Sequence, residues 1–150
     1  EKVAFDVVGF YEDAYKEQVD QLVADGIVRF HGFQTDVHPF YEAADCVVLP
    51  SYHEGMSNVL LEGAATGRAL ITSDIPGCRE AVEDGVSGYL CPAQDAEGLT
   101  RAMRDFAQQS FDRQVQMGQS GRALAERKFD KQLVVAKTLD GLGLPAAVRN

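Results

Sequence analysis

The chain has 150 residues, of which 45% are hydrophobic and 25% charged, the size and balance of one globular domain able to bury a core. Its net charge of −9 argues against a nucleic-acid-wrapping face or a polybasic membrane anchor, both of which need basic surface. No apolar run approaches bilayer-spanning length. A local anion site is still allowed, because amides at a helix start carry partial positive charge whatever the global balance.

The chain opens at Glu1-Lys2-Val3, with neither an initiator methionine nor a signal-peptide pattern, and so reads as cut from something longer. Val3 to Val8 is a predicted strand ending at Gly9. Ala14 to Asp25 carries Tyr15, Val19, Leu22 and Val23 at helical spacing, and Gly26 stops it. Ile27 to His31 is a second strand, closed by Gly32. Asp36 can cap a short helix holding Phe40, Tyr41 and Ala44. Cys46 to Leu49 is an apolar strand stopped by Pro50. Asn58 to Thr66 is helical, with Gly67 as its stop. Ala69 to Thr72 is a fourth strand, Cys78 to Val82 a short helix, and Tyr89-Leu90 one more short strand. From Asp95 the chain is mostly helical to about Leu142. Cys46, Cys78 and Cys91 are odd in number and form no Cys-x-x-Cys. They read as small buried hydrophobes of a reducing compartment.

Short apolar runs alternating with amphipathic helices predict an α/β fold: a Rossmann-like parallel sheet with helices on both faces. Ligands bind such sheets beyond the carboxyl ends of the strands. That marks the loops after His31, Leu49 and Thr72.

The loop after Leu49 carries the most chemistry. Glu54 lies before the helix and Glu62 inside it, with Gly55, Met56, Ser57 and Asn58 between them. Ser57 or Asn58 can take the N-cap position. The first helical amides can then face an anion. Asn58 and Glu62 are four apart and share one helix face. Glu62 stands on the order of 6–8 Å along the axis from the helix start, roughly the step from a diphosphate to its ribose hydroxyls. A carboxylate is a natural acceptor for vicinal hydroxyls. Glu54 falls on the far side of the phosphates, where an attached sugar would lie.

The Glu54 to Glu62 segment resembles the Glu-x7-Glu motif of retaining glycosyltransferases of the GT-B fold, in family 4, the group 1 transferases. The resemblance covers nearly the whole chain. Val28-Arg29-Phe30-His31-Gly32-Phe33 is similar to the family's strand and glycine before the base pocket. Ala44-Asp45-Cys46-Val47-Val48-Leu49-Pro50-Ser51 is similar to its third strand. Ala69 to Glu80 is similar to its next strand and glycine loop, Asp84 to Leu90 to its Asp-Gly turn, and Pro92 to Asp95 to the entry of the C-terminal helices. Gly63 stands where the family usually has alanine and is read as a close-packing site. Ala69 stands where proline is common.

The resemblance implies the C-terminal, donor-binding half of a GT-B enzyme. Glu54, the catalytic candidate, is expected to bond hydroxyls of the donor sugar. The backbone of Gly55, Met56, Ser57 and Asn58 is expected to meet the diphosphate and Glu62 the ribose. Gln34 sits where the family makes backbone contacts to the base. The substrate implied is a nucleoside-diphosphate sugar, with UDP-sugar favoured, for transfer to a polysaccharide, capsule or glycolipid acceptor. No cofactor and no metal is expected, because cations and helix amides carry the phosphate charge. The family's Arg and Lys on the diphosphate match no position here. Lys2 stands too close to the Val3 strand, so the pair is expected to precede Glu1.

These readings treat residues 1–150 as one nucleotide-sugar-binding domain whose N-terminal acceptor partner is absent, and which is inactive alone. The segment from about residue 130 to 150 is expected to pack on that missing half, leaving apolar residues available for self-association. No nucleic-acid partner and no direct membrane insertion are expected. The location is cytoplasmic, or peripheral at the inner membrane face through the absent half.

Two rivals stand beside the enzyme reading: a non-catalytic nucleotide-sugar-binding module and a GT-B sugar-nucleotide epimerase. Glu54 and Glu62 do not suit a glycosidase pair, whose carboxyls face each other across about 5–10 Å. His31, His38 and His53 lack metal-ligand spacing and read as satisfied or exposed. His53 adjoins Glu54 and is a weaker candidate for the sugar pocket. Arg79 and Glu80 read as the start of a helix rather than donor ligands.

Overall fold

A computed structural model describes residues 3–11 and 13–143 of the chain. The chain forms two compact units, residues 1–43 and 44–150.

In the first unit, β1 (Phe5–Val8) pairs in parallel with β2 (Val28–Gly32). The predicted helix from Ala14 divides into a 3-10 turn, Asp13–Tyr15, and α1 (Lys16–Ala24). Tyr15 offers no capping side chain, and a tight first turn is a common substitute at a helix start. The strand begins at Phe5 rather than Val3, which stands exposed. Helix α2 (His38–Ala43) is held at its start by Asp36 Oδ1, which accepts from the His38 amide at 3.1 Å. The strand surface carries an ionic cluster. Arg29 grips Asp6 through Nε and Nη2, and His31 Nε2 lies 2.6 Å from Asp6 Oδ1. Both bonds hold the Asp6 carboxyl below the usual carboxylate range, Arg29 more strongly than His31. His38 likewise bonds Asp36, so these two histidines are carboxylate-paired.

In the second unit, β3 (Cys46–Leu49), β4 (Ala69–Ser73) and β5 (Gly88–Cys91) form a parallel sheet in that order. Period-2 alternation sends side chains to two separate buried clusters. Val47, Leu49, Leu70 and Leu90 meet Leu60 and Ala64 of α3 (Asn58–Ala65), together with Cys78 and Ala81. Cys46, Val48, Ala69, Ile71 and Tyr89 meet Ala102 and Phe106 of α4 (Ala96–Ala107) and Met117 of α5 (Phe111–Phe129). Every residue of β4 is buried, as expected for a central parallel strand covered on both faces. The short helix predicted at Cys78 to Val82 is a single 3-10 turn, Arg79–Ala81.

The C-terminal helices are capped as their sequence directs. Asp95 accepts from the Gly98 amide at 2.8 Å, Ser110 from Arg113 at 3.3 Å, and Asp130 from Gln132 and Leu133 at 2.9 and 3.1 Å. Helix α6 (Lys131–Gly141) buries none of its residues, and Val134 and Val135 are exposed. The rest of the predicted C-terminal tail, residues 144–150, lies outside the described residues, as does Lys2. Among the described residues no helix is long and apolar enough to cross a membrane. The three cysteines are free, Cys78 and Cys91 buried and Cys46 half-buried. Burial, helped by the Asp45 charge, pushes the Cys46 thiol up to about 12.

Candidate functional site

The site candidates of the second unit gather where β3 gives way to α3. Pro50 ends the strand, the chain loops through Glu54 and Gly55, and α3 begins at Asn58. Ser57 takes the N-cap position with extended dihedrals, yet its hydroxyl makes no capping bond. The first helical hydrogen bond within α3 runs from the Leu61 amide to the Ser57 carbonyl, at 3.1 Å. Among the described residues no backbone carbonyl takes the amides of Asn58 and Val59. Both of these residues are exposed. The start of α3 therefore leaves these two amides without a main-chain partner at the positive end of the helix dipole.

The carboxylates border this helix start. Glu54 is exposed, and its Oε1 accepts from Ser51 Oγ at 2.8 Å. Glu62 is exposed one turn along α3 from Asn58. Gly55, Met56 and Asn58 are exposed, whereas Ser57 is buried. The Ser57 amide is occupied: it donates to the Gly77 carbonyl at 3.2 Å.

Gly77 comes from the loop after β4. Its φ of +88° favours glycine, and a Cβ there would lie 1.5 Å from the Gly55 carbonyl oxygen and 2.7 Å from that of Glu54. Its amide donates to Glu80 Oε2 at 2.8 Å. The fold pattern in the sequence places this loop on the ligand side and assigns no role to Gly77 or Ser51. The available signal was a Pro-Gly pair directly after a buried strand at the ligand end of the sheet. Arg79 turns away to Asp74, bonding its carboxylate at 2.9 Å and its carbonyl at 2.7 Å. Behind the loop, burial pushes the Cys78 thiol up against an opposing Thr72 hydrogen bond, and the Glu54 and Glu80 charges add to the rise.

Gly63 is the close-packing site its position suggested. A Cβ would meet Val47 Cγ2 at 2.9 Å and Leu70 Cδ2 at 3.0 Å, so its absence lets α3 sit down on β3 and β4. On the other side of α3, Met56 and Leu61 line an apolar groove of about 470 Å³ with Phe129, Val134 and Val135.

Gln34 belongs to the first unit. It follows Gly32-Phe33 beyond the carboxyl end of β2, and its Nε2 donates to the His31 carbonyl at 2.8 Å. Phe33 stacks on Phe10 there, with ring centroids 5.0 Å apart.

A parallel sheet sheathed in helices, with an uncapped helix start beyond a strand's carboxyl end, defines a Rossmann-like α/β protein. Comparison with known proteins sharpens this. The family model described as "Glycosyl transferases group 1" matches residues 1–109, and the chain belongs to that family. The lipopolysaccharide core biosynthesis glycosyltransferase LpsE of Rhizobium meliloti is 35% identical over 98 residues, covering 65% of this chain and 29% of that protein. The crystal structure of HepE from Anabaena in complex with UDP superposes with a TM-score of 0.82 at 23% identity, over 94% of this chain and 41% of that one. The C-terminal domain of the group 1 protein LpcC from Francisella tularensis matches with a TM-score of 0.68 at 25% identity, over 79% of this chain and 62% of that one. The fold is thus the Rossmann-like architecture of GT-B glycosyltransferases. The chain spans less than a third of the length of its lipopolysaccharide-core relative.

Proposed function

We propose that this chain is the donor-binding half of a retaining glycosyltransferase that uses a nucleoside-diphosphate sugar, with UDP-sugars favoured. The observation that carries the reading is the uncapped start of α3 between Glu54 and Glu62. The amides of Asn58 and Val59, with the helix dipole, meet the diphosphate. Since the Ser57 amide is taken by Gly77, Ser57 contributes through its place in the turn. Gly55 and Met56, both exposed residues, stand beside it. Glu62 accepts from the ribose hydroxyls. Glu54, the catalytic candidate, accepts from hydroxyls of the donor sugar and orients it, with Ser51 fixing its rotamer. Cations together with the helix amides carry the phosphate charge, and no metal is expected. Structures of HepE with UDP and with UDP-glucose support the choice of uridine. The acceptor is a polysaccharide, capsule or glycolipid chain bound by a partner half, and residues 1–150 alone transfer no sugar.

Calorimetric titration with UDP and GDP tests this. UDP is expected to bind, and Glu62→Ala to weaken it about tenfold or more, the loss of a charged hydrogen-bond acceptor. Glu54→Ala is expected to leave UDP affinity within about twofold while weakening UDP-glucose, since only the sugar meets it. Absence of binding by either nucleotide overturns the reading. Sugar transfer by residues 1–150 overturns the claim that they are inactive alone.

A further inference from the structure

The diphosphate-facing turn is not self-supporting. Residues 50–57 hold no regular structure, the Ser57 hydroxyl caps nothing, and yet the turn must hold the amides of Asn58 and Val59 in one direction. Its support comes from the next loop of the sheet. The Gly77 carbonyl takes the Ser57 amide at 3.2 Å, and the Gly77 Cα presses on the Glu54–Gly55 backbone so closely that a Cβ would overlap the Gly55 carbonyl at 1.5 Å. Gly77 therefore touches the donor loop twice, through its carbonyl and through its Cα. Gly77 has a φ of +88° and follows Pro76 in a β-turn that the Cys78 amide closes on the Ile75 carbonyl at 3.2 Å. One side chain addresses the Gly77 amide: Glu80 Oε2 accepts it at 2.8 Å.

We infer that Glu80 is a positioning residue for the phosphate-binding turn, acting through the Gly77 peptide on Ser57 and on the Glu54–Gly55 backbone. The inference rests on the donor-site reading given above. Glu80 does not reach the ligand. Its carboxylate holds the Gly77 N–H, in the peptide before the Gly77 Cα, while the peptide carrying the Gly77 carbonyl is held by the Cys78 bond to Ile75, so Glu80 tethers the side of Gly77 that the turn bond leaves open. A misplacement of about an ångström in such a support is felt at the reacting groups. The simpler role, closing the 3-10 turn Arg79–Ala81 in the manner of a capping box, accounts for the bond to Gly77 but predicts a loss of stability alone.

Two readouts separate the roles: calorimetric titration with UDP, and amide exchange at Ser57 followed by NMR. Glu80→Ala is expected to weaken UDP binding about fivefold and to speed Ser57 exchange, the scale of one lost hydrogen bond. Glu80→Gln keeps an acceptor oxygen at the same reach and is expected to hold both within about twofold of wild type. Asp95→Ala removes a comparable cap, on α4. It is expected to lower the Tm while leaving UDP affinity and Ser57 exchange unchanged. The inference is overturned if Glu80→Ala matches wild type in both readouts, if Glu80→Gln is as weak as Glu80→Ala, or if Asp95→Ala reproduces the loss of affinity. Should the wild-type chain bind no UDP, the donor-site reading fails and Ser57 exchange alone decides the support. Faster exchange in Glu80→Ala with recovery in Glu80→Gln upholds it, and unchanged exchange sinks it.

Discussion

Residues 44–150 bury the whole of β4 between two apolar clusters, whereas residues 1–43 bury, among the described residues, Tyr41 alone. Both units pair parallel strands. What differs is the source of order. In the second unit, large side chains such as Leu60, Leu70 and Met117 are removed from water entirely, which is the dominant stabilising term in folding. In the first, the strands carry an exposed Asp6–Arg29–His31 cluster and aromatic contacts such as Phe10 on Phe33. Exposed ion pairs contribute little. The helix start assigned to phosphate lies on the strongly buried unit, a suitable base for a site that must hold amides fixed in direction.

Three substitutions test this contrast. Gly77→Ala is expected to have the largest effect, about 3 kcal/mol or more in urea unfolding, because it adds backbone strain to a clash with main chain that cannot move aside. A loss smaller than that of any surface variant would show that the loop after β4 gives way, and that the second unit is softer than its burial suggests. Gly63→Ala sets two terms against each other. The helix gains about 1 kcal/mol of propensity, while overpacking against Val47 and Leu70 costs about 1–3 kcal/mol. A net loss of about 1 kcal/mol is expected, and a net gain would mean that the α3–sheet contact relaxes freely.

The smallest effect belongs to the first unit. Asp6→Asn is expected to cost less than about 1 kcal/mol at neutral pH. Its pH dependence has a definite sign. The folded-state pKa of Asp6 is depressed, so in acid the unfolded chain binds the proton more readily than the folded one. The contribution is fully present above the unfolded carboxylate value of about 3.9 and is lost as pH falls through the lower folded value. Unfolding followed from pH 5 to pH 2 should show this slope in wild type and its reduction in Asp6→Asn. If the slopes coincide, the Arg29–Asp6–His31 cluster does not contribute to stability.

Much of the second unit was legible from residue type and order. The strand Cys46–Leu49 has the predicted bounds, because an unbroken apolar run meets a proline that cannot donate to a ladder. The helix after it starts at Asn58 as predicted and ends one residue before Thr66, with Gly67 next. Gly63 was recognisable as a packing glycine because helical glycine is costly without such a reason. Where burial is slight, legibility failed. Val3 and Ala4 satisfy a strand pattern but stay outside β1, and the helix expected from Ala14 starts as a 3-10 turn, since little packing selects among local alternatives.

The sequence by itself determined the alternation of strand and helix, the placement of Glu54 and Glu62 on either side of a helix start, and their resemblance to the group 1 transferases. These are local consequences of periodicity, spacing and residue chemistry. Tertiary structure alone decided which amides remain available. The Ser57 amide is removed from the candidate phosphate donors by a carbonyl twenty positions away, and the glycine carrying that carbonyl donates its own amide to the Glu80 carboxylate. No pattern in residues 50–62 contains that information. It arises because parallel strands bring the loops at their carboxyl ends side by side, and a buried or crowded peptide group must take whatever partner the neighbouring loop presents.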